Sequence, residues 1–276
     1  MWISHIRENL CLLQVKGEAE GGDRLRLFDA HCHLEEEAFD EDREEVISRA
    51  IKSGIIGIVT SPIYPEDAEK ALSLFRDHQV VKVSIGLDAA EYGEDDEVEK
   101  TIQLILDNVD DIVAVGEVGL DYRVASRGGP DKDRQKEVFR RFIRLAKELD
   151  KPLVIHSLWA QRPVLRVLDE EGASRVVLHA FGGKPDDIKF AVERGWVISI
   201  PTNVVRSENI RRVAECTPVE VMVLESDSPV LAPNPRERNE PANIRVSLTY
   251  ISKLKGYCPE DLASITTDNA KEVYEL

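Results

Sequence analysis

Six side chains in this sequence have the types and placement to bind and use divalent metal ions: His31, His33, Glu117, His156, His179 and Asp227. Mixed imidazole and carboxylate ligation suits zinc, manganese or iron, and accepts magnesium only with added water. Four imidazoles and two carboxylates are enough for two ions. One would sit between His31, His33 and Asp227, the other between His156 and His179, with Glu117 bridging. Paired ions can activate water near neutral pH and hold both the attacking and the leaving oxygen, which is hydrolytic chemistry. In that chemistry Asp227 and Glu117 would act on the reaction itself, Asp227 by accepting or relaying a proton.

These residues need a scaffold that brings them together. Short runs of Val, Ile and Leu alternate with longer charged segments of helical period, the pattern of parallel strands joined by helices. Strands are expected at Leu25–Asp29, Ile55–Thr60, Val80–Ile85, Ile112–Gly116, Leu153–Ile155, Val176–Leu178, Trp196–Ile200 and Val221–Leu224. Helices are expected at Asp42–Lys52, Glu66–Asp77, Glu97–Asn108, Lys132–Leu149, Pro163–Glu171, Pro185–Arg194 and Glu208–Glu215, then at Pro241–Lys255 and Pro259–Tyr274. Eight such units over this length predict an α/β fold of the (β/α)8 TIM-barrel kind. A doubly wound open sheet is the runner-up, but the glycine-rich nucleotide loop usual there is missing.

Barrel enzymes carry their reactive groups at the C-terminal ends of strands. Four of the six histidines fall at such ends, with Glu117 after the fourth strand and Asp227 after the eighth. Residues two apart on a strand share a face, so His31 and His33 both reach the mouth. Cys32 then points toward the helices as a small packed side chain. Asp29 lies one step deeper, either orienting a ligand histidine or filling an inner layer. His5 and His78 fall outside this pattern and read as surface or packing residues.

The domain is expected to span residues 25–276. Residues 1–24 do not share its pattern, and three alternatives stay open for them: a short packed helix, a loose arm, or an extension from an upstream start codon. The segment carries no secretory cleavage pattern. With 42% hydrophobic and 32% charged residues, the chain reads as a folded globular protein with no apolar run of membrane-spanning length. Its four cysteines show no CxxC pairing, so the cytoplasm is the expected location. A net charge of −16 repels a polyanion on average, so a nucleic-acid ligand would depend on local arginines and bound cations.

Several motifs, in order, carry a resemblance: Asp29-Ala30-His31-Cys32-His33-Leu34, Gly116-Glu117-Val118-Gly119-Leu120-Asp121-Tyr122, Pro152-Leu153-Val154-Ile155-His156 and His179-Ala180-Phe181-Gly182-Gly183. They continue as Glu225-Ser226-Asp227-Ser228-Pro229, Arg238-Asn239-Glu240-Pro241 and Thr266-Thr267-Asp268-Asn269-Ala270. From about Leu27 onward the chain resembles TatD-family metal-dependent deoxyribonucleases of the amidohydrolase superfamily. That resemblance implies a nuclease acting on DNA, often at single-stranded or 3′ ends, with magnesium among the suggested ions. It implies the same six ligands as the strand ends do.

The departures bear on substrate. Where such proteins usually have Gly-x-His-Pro after the third strand, this chain has Gly86-Leu87-Asp88-Ala89; Leu158 stands where an arginine is common, and Ala180 where a cysteine is usual. The first two changes remove positive partners for a phosphate. Four residues are candidate substrate contacts. Arg123 leads a basic cluster with Arg127, Lys132 and Arg134, which could follow a phosphate backbone or simply be solvated. Trp159 could stack on a base or pack at a helix start. Arg238 and Asn239 belong to a proline-rich loop expected to form one wall of the pocket. RNA is an alternative substrate. An amide or ester hydrolase of the same superfamily and a non-catalytic metal-binding barrel are the competing functions.

Overall fold

Residues alternate along each strand between two packing environments, and that alternation builds the scaffold. In the computed structural model, which describes residues 25–276, eight parallel strands follow in chain order. They are β1 Leu27–Cys32, β2 Ile55–Thr60, β3 Val81–Ile85, β4 Ile112–Asp121, β5 Leu153–Leu158, β6 Val176–Leu178, β7 Val197–Pro201 and β8 Met222–Glu225. Each pairs with the next. Beyond the last rung the ring closes at the mouth: the Asp227 N–H donates to the His31 carbonyl (3.0 Å), and the His33 N–H to that of Ser228 (2.8 Å). The chain is a (β/α)8 barrel. The segment at residues 1–24, on which three alternatives stood open, lies outside the described residues.

Helices α1 Arg43–Lys52, α2 Pro65–Phe75, α3 Asp95–Asp107, α4 Lys132–Glu148, α5 Gln161–Glu170, α6 Pro185–Val192 and α7 Glu208–Cys216 connect the strands; α8 Ile244–Lys255 and α9 Pro259–Tyr274 follow β8. Their apolar stripes bury against one strand face, where Ile58, Val83, Ile155, Leu178, Ile198 and Leu224 lie in a large shared core. The alternate residues Val59, Val154, Val177 and Val223 form a smaller core with Phe28 and with Val273 and Tyr274 of α9. Tyr274 stacks on Phe28, and its hydroxyl donates to the Ala30 carbonyl at 2.8 Å.

Helix α4 illustrates how one element positions another. Asp131 caps it, accepting from the N–H groups of Asp133 and Arg134, and Val138, Phe139, Phe142 and Ile143 supply the buried stripe. Gln135 on the same face is wholly buried. Its side chain accepts the Asp121 N–H and donates to the Asp121 carbonyl, both at 2.9 Å, fixing the far end of β4.

Helix positions match expectation to within a few residues, and the larger differences are at strands. β1 begins and ends later than Leu25–Asp29, so His31 lies inside it. β4 runs to Asp121 rather than Gly116, and β5 to Leu158 rather than Ile155, with Gly119 opposite His156. The glycines of β4 suggest a loop by composition, but they permit close strand approach. A Cβ on Gly119 would sit 2.0 Å from the His156 carbonyl oxygen.

Candidate metal centre

All six expected ligands meet at the mouth of the barrel. β1 supplies His31 and leads directly into His33, and the Nε2 atoms of both lie 3.6 Å from Asp227 Oδ1. Glu117, from β4, reaches the same point: its Oε2 is 3.2 Å from His31 Nε2 and 3.7 Å from His33 Nε2. His179 follows β6, and its Nε2 stands 3.7 Å from Glu117 Oε1 and 3.8 Å from Asp227 Oδ1. His156 lies on the other side of Glu117, with Nδ1 2.7 Å from Oε1. Cys32, between the two β1 histidines, is buried in the large core, its thiol directed at the Val59 carbonyl.

Backbone geometry aims these groups. Gly86 follows β3 directly beneath Glu117; a Cβ there would lie 2.0 Å from the Glu117 carbonyl oxygen, so the chain can pass only as glycine. Of six non-glycine residues with positive φ among the described residues, four follow strands at the mouth: Trp159, Ala180, Asp227 and Leu231. Such conformations are costly for L side chains and gather where a function requires them.

Carboxylates stand behind three of the histidines. Glu225, wholly buried, stands 3.0 Å from His179 Nδ1 and accepts the Ala180 N–H at 2.9 Å. Glu35, which accepts from the Thr60 hydroxyl, stands 3.6 Å from His33 Nδ1. Asp121 lies 3.6 Å from His156 Nε2. An outer carboxylate that fixes an imidazole and raises its basicity is a common feature of metal sites. These three acids escaped the reading of the sequence as site members. A period-two signal pointed to two of them: Glu35 is two residues beyond His33, and Glu225 two before Asp227.

Asp29 settles between its two expected roles. Its carboxylate accepts from the Ser226 N–H (2.7 Å) and hydroxyl (2.6 Å), so it fastens the turn that carries Asp227. Burial pushes the Asp29 carboxyl well up, while the Ser226 donors pull the other way.

The electrostatics favour added positive charge. Burial would raise the Glu117 carboxyl, yet His179, His156 and His31 hold it well below its ordinary range. Burial likewise opposes protonation of His179 and His156, but the surrounding acids raise them to about 10 and about 9. His31 is the exception: burial first, then the neighbouring His179, lowers it. A neutral imidazole is the ligand form.

The fit to a metal ion rests on His31. Both of its ring nitrogens are buried without a hydrogen-bond partner, as is Nδ1 of His33. Buried polar atoms normally have partners, so such orphans need an explanation. Two converging donor sets supply one: His31, His33 and Asp227, and His31, Glu117 and His179, each within 4.8 Å. His156 belongs to neither set in this arrangement.

The profile of the TatD-related DNase family matches residues 28–275. The chain belongs to that family. Human deoxyribonuclease TATDN3 is 35% identical over 259 residues, covering 90% of this chain and 94% of its own length. An uncharacterized metal-dependent hydrolase of Methanocaldococcus jannaschii is 32% identical over 252 residues, covering 91% and 98%. The crystal structure of a TatD homologue from Escherichia coli, YJJV, superposes with a TM-score of 0.82 at 24% identity, covering 91% of this chain and 99% of that one; at that identity it speaks for the fold. These matches favour the TatD hydrolase reading over an amide or ester hydrolase and over a non-catalytic barrel, and divalent metal use agrees with them.

Of the four expected substrate contacts, two are tied up. Asn239 is wholly buried. Its amide donates to the Thr202 hydroxyl and to the Ser226 and Val230 carbonyls, bracing the loop after β8 instead of facing a ligand. Arg238 pairs with Asp42, donates to the Ala38 carbonyl and lies over the Phe39 ring. Arg123 stays largely exposed, 3.7 Å from Asp121. Its expected basic cluster is partly spent, since Arg134 pairs with Asp95 and Glu137 and Lys132 lies over Tyr122. Trp159 projects into solvent. Asp88, which stands where the resemblance leads one to expect a histidine, caps the turn that follows by accepting the Ala90 N–H. None of the described helices is long and apolar enough to cross a membrane.

Proposed function

We propose that this protein hydrolyses phosphodiester bonds of DNA, at single-stranded or 3′ ends, using two divalent ions held by His31, His33, Glu117, His156, His179 and Asp227. The observation that carries the reading is His31, buried between Glu117 and Asp227 with neither ring nitrogen hydrogen-bonded, in a chain of the TatD-related DNase family. One ion is assigned to His31, His33 and Asp227, the other to His156 and His179, with Glu117 shared. Magnesium is the first choice; manganese, zinc and iron suit the same donors.

Such ions supply Lewis acidity and a lower pKa for water. The protein's own part is to aim and to accept. Asp227 faces the same space as the Nε2 atoms of His31, His33 and His179, and its carboxylate takes the proton from the attacking water. Glu225 keeps the His179 ring turned inward, and Glu35 stands behind His33 as a nearby negative charge. Cys32 and Cys216 are free thiols among the described residues, which suits a reducing compartment, and a cytoplasmic location is part of the proposal.

The test is nucleotide release from a short labelled single-stranded DNA with magnesium, with manganese and with chelator. Metal-dependent release that vanishes in His156→Ala is expected. Protein that contains metal yet releases nothing would overturn the reading, and release from RNA alone would change the substrate.

A further inference from the structure

This inference rests on the proposed nuclease reading and names how the site grips its substrate. Trp159 is 62% exposed, the highest value of any large hydrophobic residue described. It follows β5 three residues after His156, and its backbone takes the left-handed conformation at φ 56°. A bulky side chain rarely adopts that conformation, and an indole left in water forgoes the burial that normally stabilises it. Beside it a cleft opens between the loops that follow β5 and β6, the strands leading to His156 and His179. Trp159, Gln161, Arg162, Gly182, Gly183 and Lys184 line that cleft.

Charge in the cleft is divided unequally. Arg162 is spoken for, with Nε 2.6 Å from Asp187 Oδ1. Lys184 is exposed and makes no ion pair among the described residues, so its ammonium is free for an anion. The two glycines between His179 and Lys184 leave the floor without bulky side chains. The cleft therefore offers an aromatic face, an open floor and one free cation, with Asp186 the remaining charge in its lining, on the loops that follow the strands of His156 and His179.

We infer that this cleft is a nucleotide subsite, in which a base of the DNA strand stacks on Trp159 while an adjacent phosphate meets Lys184. Stacking is sequence-tolerant and needs little positive charge. It would therefore suit a chain of net charge −16 that has Leu158 and Asp88 where the family resemblance leads one to expect positive partners for a phosphate.

The test is titration of the full-length protein, as purified with its metal, with a short phosphorothioate oligothymidylate, followed by tryptophan fluorescence. Trp196 is buried, and a Trp159→Phe variant reports the signal of the remaining tryptophans. Quenching in the wild type but not in Trp159→Phe is expected, with affinity roughly tenfold weaker in Trp159→Ala. Lys184→Ala should lower the slope of log affinity against log salt by roughly 0.7, one phosphate contact on a single strand. Thermal melting checks that all three variants are folded. Unchanged affinity in a folded Trp159→Ala overturns the inference, even if the enzyme cleaves DNA. Quenching without cleavage under any metal overturns the nuclease reading and leaves the subsite standing.

Discussion

The seam where β8 meets β1 and the flank formed by β4 and β5 contribute to one centre but are built differently. At the seam, His31, His33 and Asp227 are buried, and their own backbone atoms make the hydrogen bonds that close the barrel. Asp29 binds the same turn through Ser226, and Tyr274 reaches the Ala30 carbonyl from α9. At the flank, β4 and β5 are joined by an ordinary ladder, and the His156 side chain is 31% exposed on the way to the solvent-facing Trp159. Closure and chemistry share atoms at the seam and are separate at the flank. Damage to one should therefore cost both stability and activity, and damage to the other activity alone.

The strongest contrast comes from His156→Ala. Loss of a ligand from a site that stabilises transition-state charge should lower DNA hydrolysis by about 10³-fold or more. Unfolding free energy should move by less than about 1 kcal/mol, because the two buried partners that lose a contact, Glu117 and Asp121, each keep others. A large drop in denaturation midpoint would erase the distinction between flank and seam. Asp29→Ala is the counterpart. It strands the Ser226 N–H in a dry interior and leaves the hydroxyl only Ser228, which should cost about 2 kcal/mol in chemical denaturation. Activity should fall with it, as the turn carrying Asp227 loosens. Full activity in a destabilised Asp29→Ala would show that seam and site are uncoupled.

Glu225→Gln probes a smaller effect on the seam side. The amide keeps the size of the side chain but removes the charge that holds His179 near 10. Metal affinity, measured by titration of the metal-free protein, should fall 10- to 100-fold with the fold intact, as for other outer partners of ligand histidines. Unchanged affinity would remove Glu225 from the centre.

How far the sequence disclosed all this differs along the same divide. The cluster of proposed ligands was legible because strand ends and the period of two place these residues together, whatever the loops do. His31 and His33 declare themselves by spacing alone. The ends of β4 and β5 were hidden, since glycines that weaken strand propensity are here demanded by close packing of Gly119 against His156. Asn239 misled because a motif residue beside a site can serve it from inside: its amide is spent on three protein oxygens. Glu35, Asp121 and Glu225 were obscured for the opposite reason. Acids are common in this chain, and only the three-dimensional arrangement shows which of them face an imidazole.

The smallest effect lies behind the flank, on the outer wall. Glu171, just past α5, meets Arg140 at 2.6 Å and Arg144 at 2.8 Å, both on α4. Arg144 chiefly, against some burial cost and with help from Arg140, holds its carboxyl down at about 2 from an ordinary 4.5. A depressed acid stabilises the fold above its unfolded value, and that contribution is lost as pH falls through the folded one. The contribution should therefore be complete above 4.5 and fade toward 2. Screening at the surface limits it to about 1 kcal/mol. Glu171→Gln should accordingly cost about that much in urea denaturation near pH 6 and almost nothing near pH 2. Hydrogen exchange should quicken in α4 and α5 while the β1–β8 junction keeps its protection. An equal penalty at both pH values would mean that Glu171 acts by packing, and faster exchange at the junction would mean that the two regions open as one.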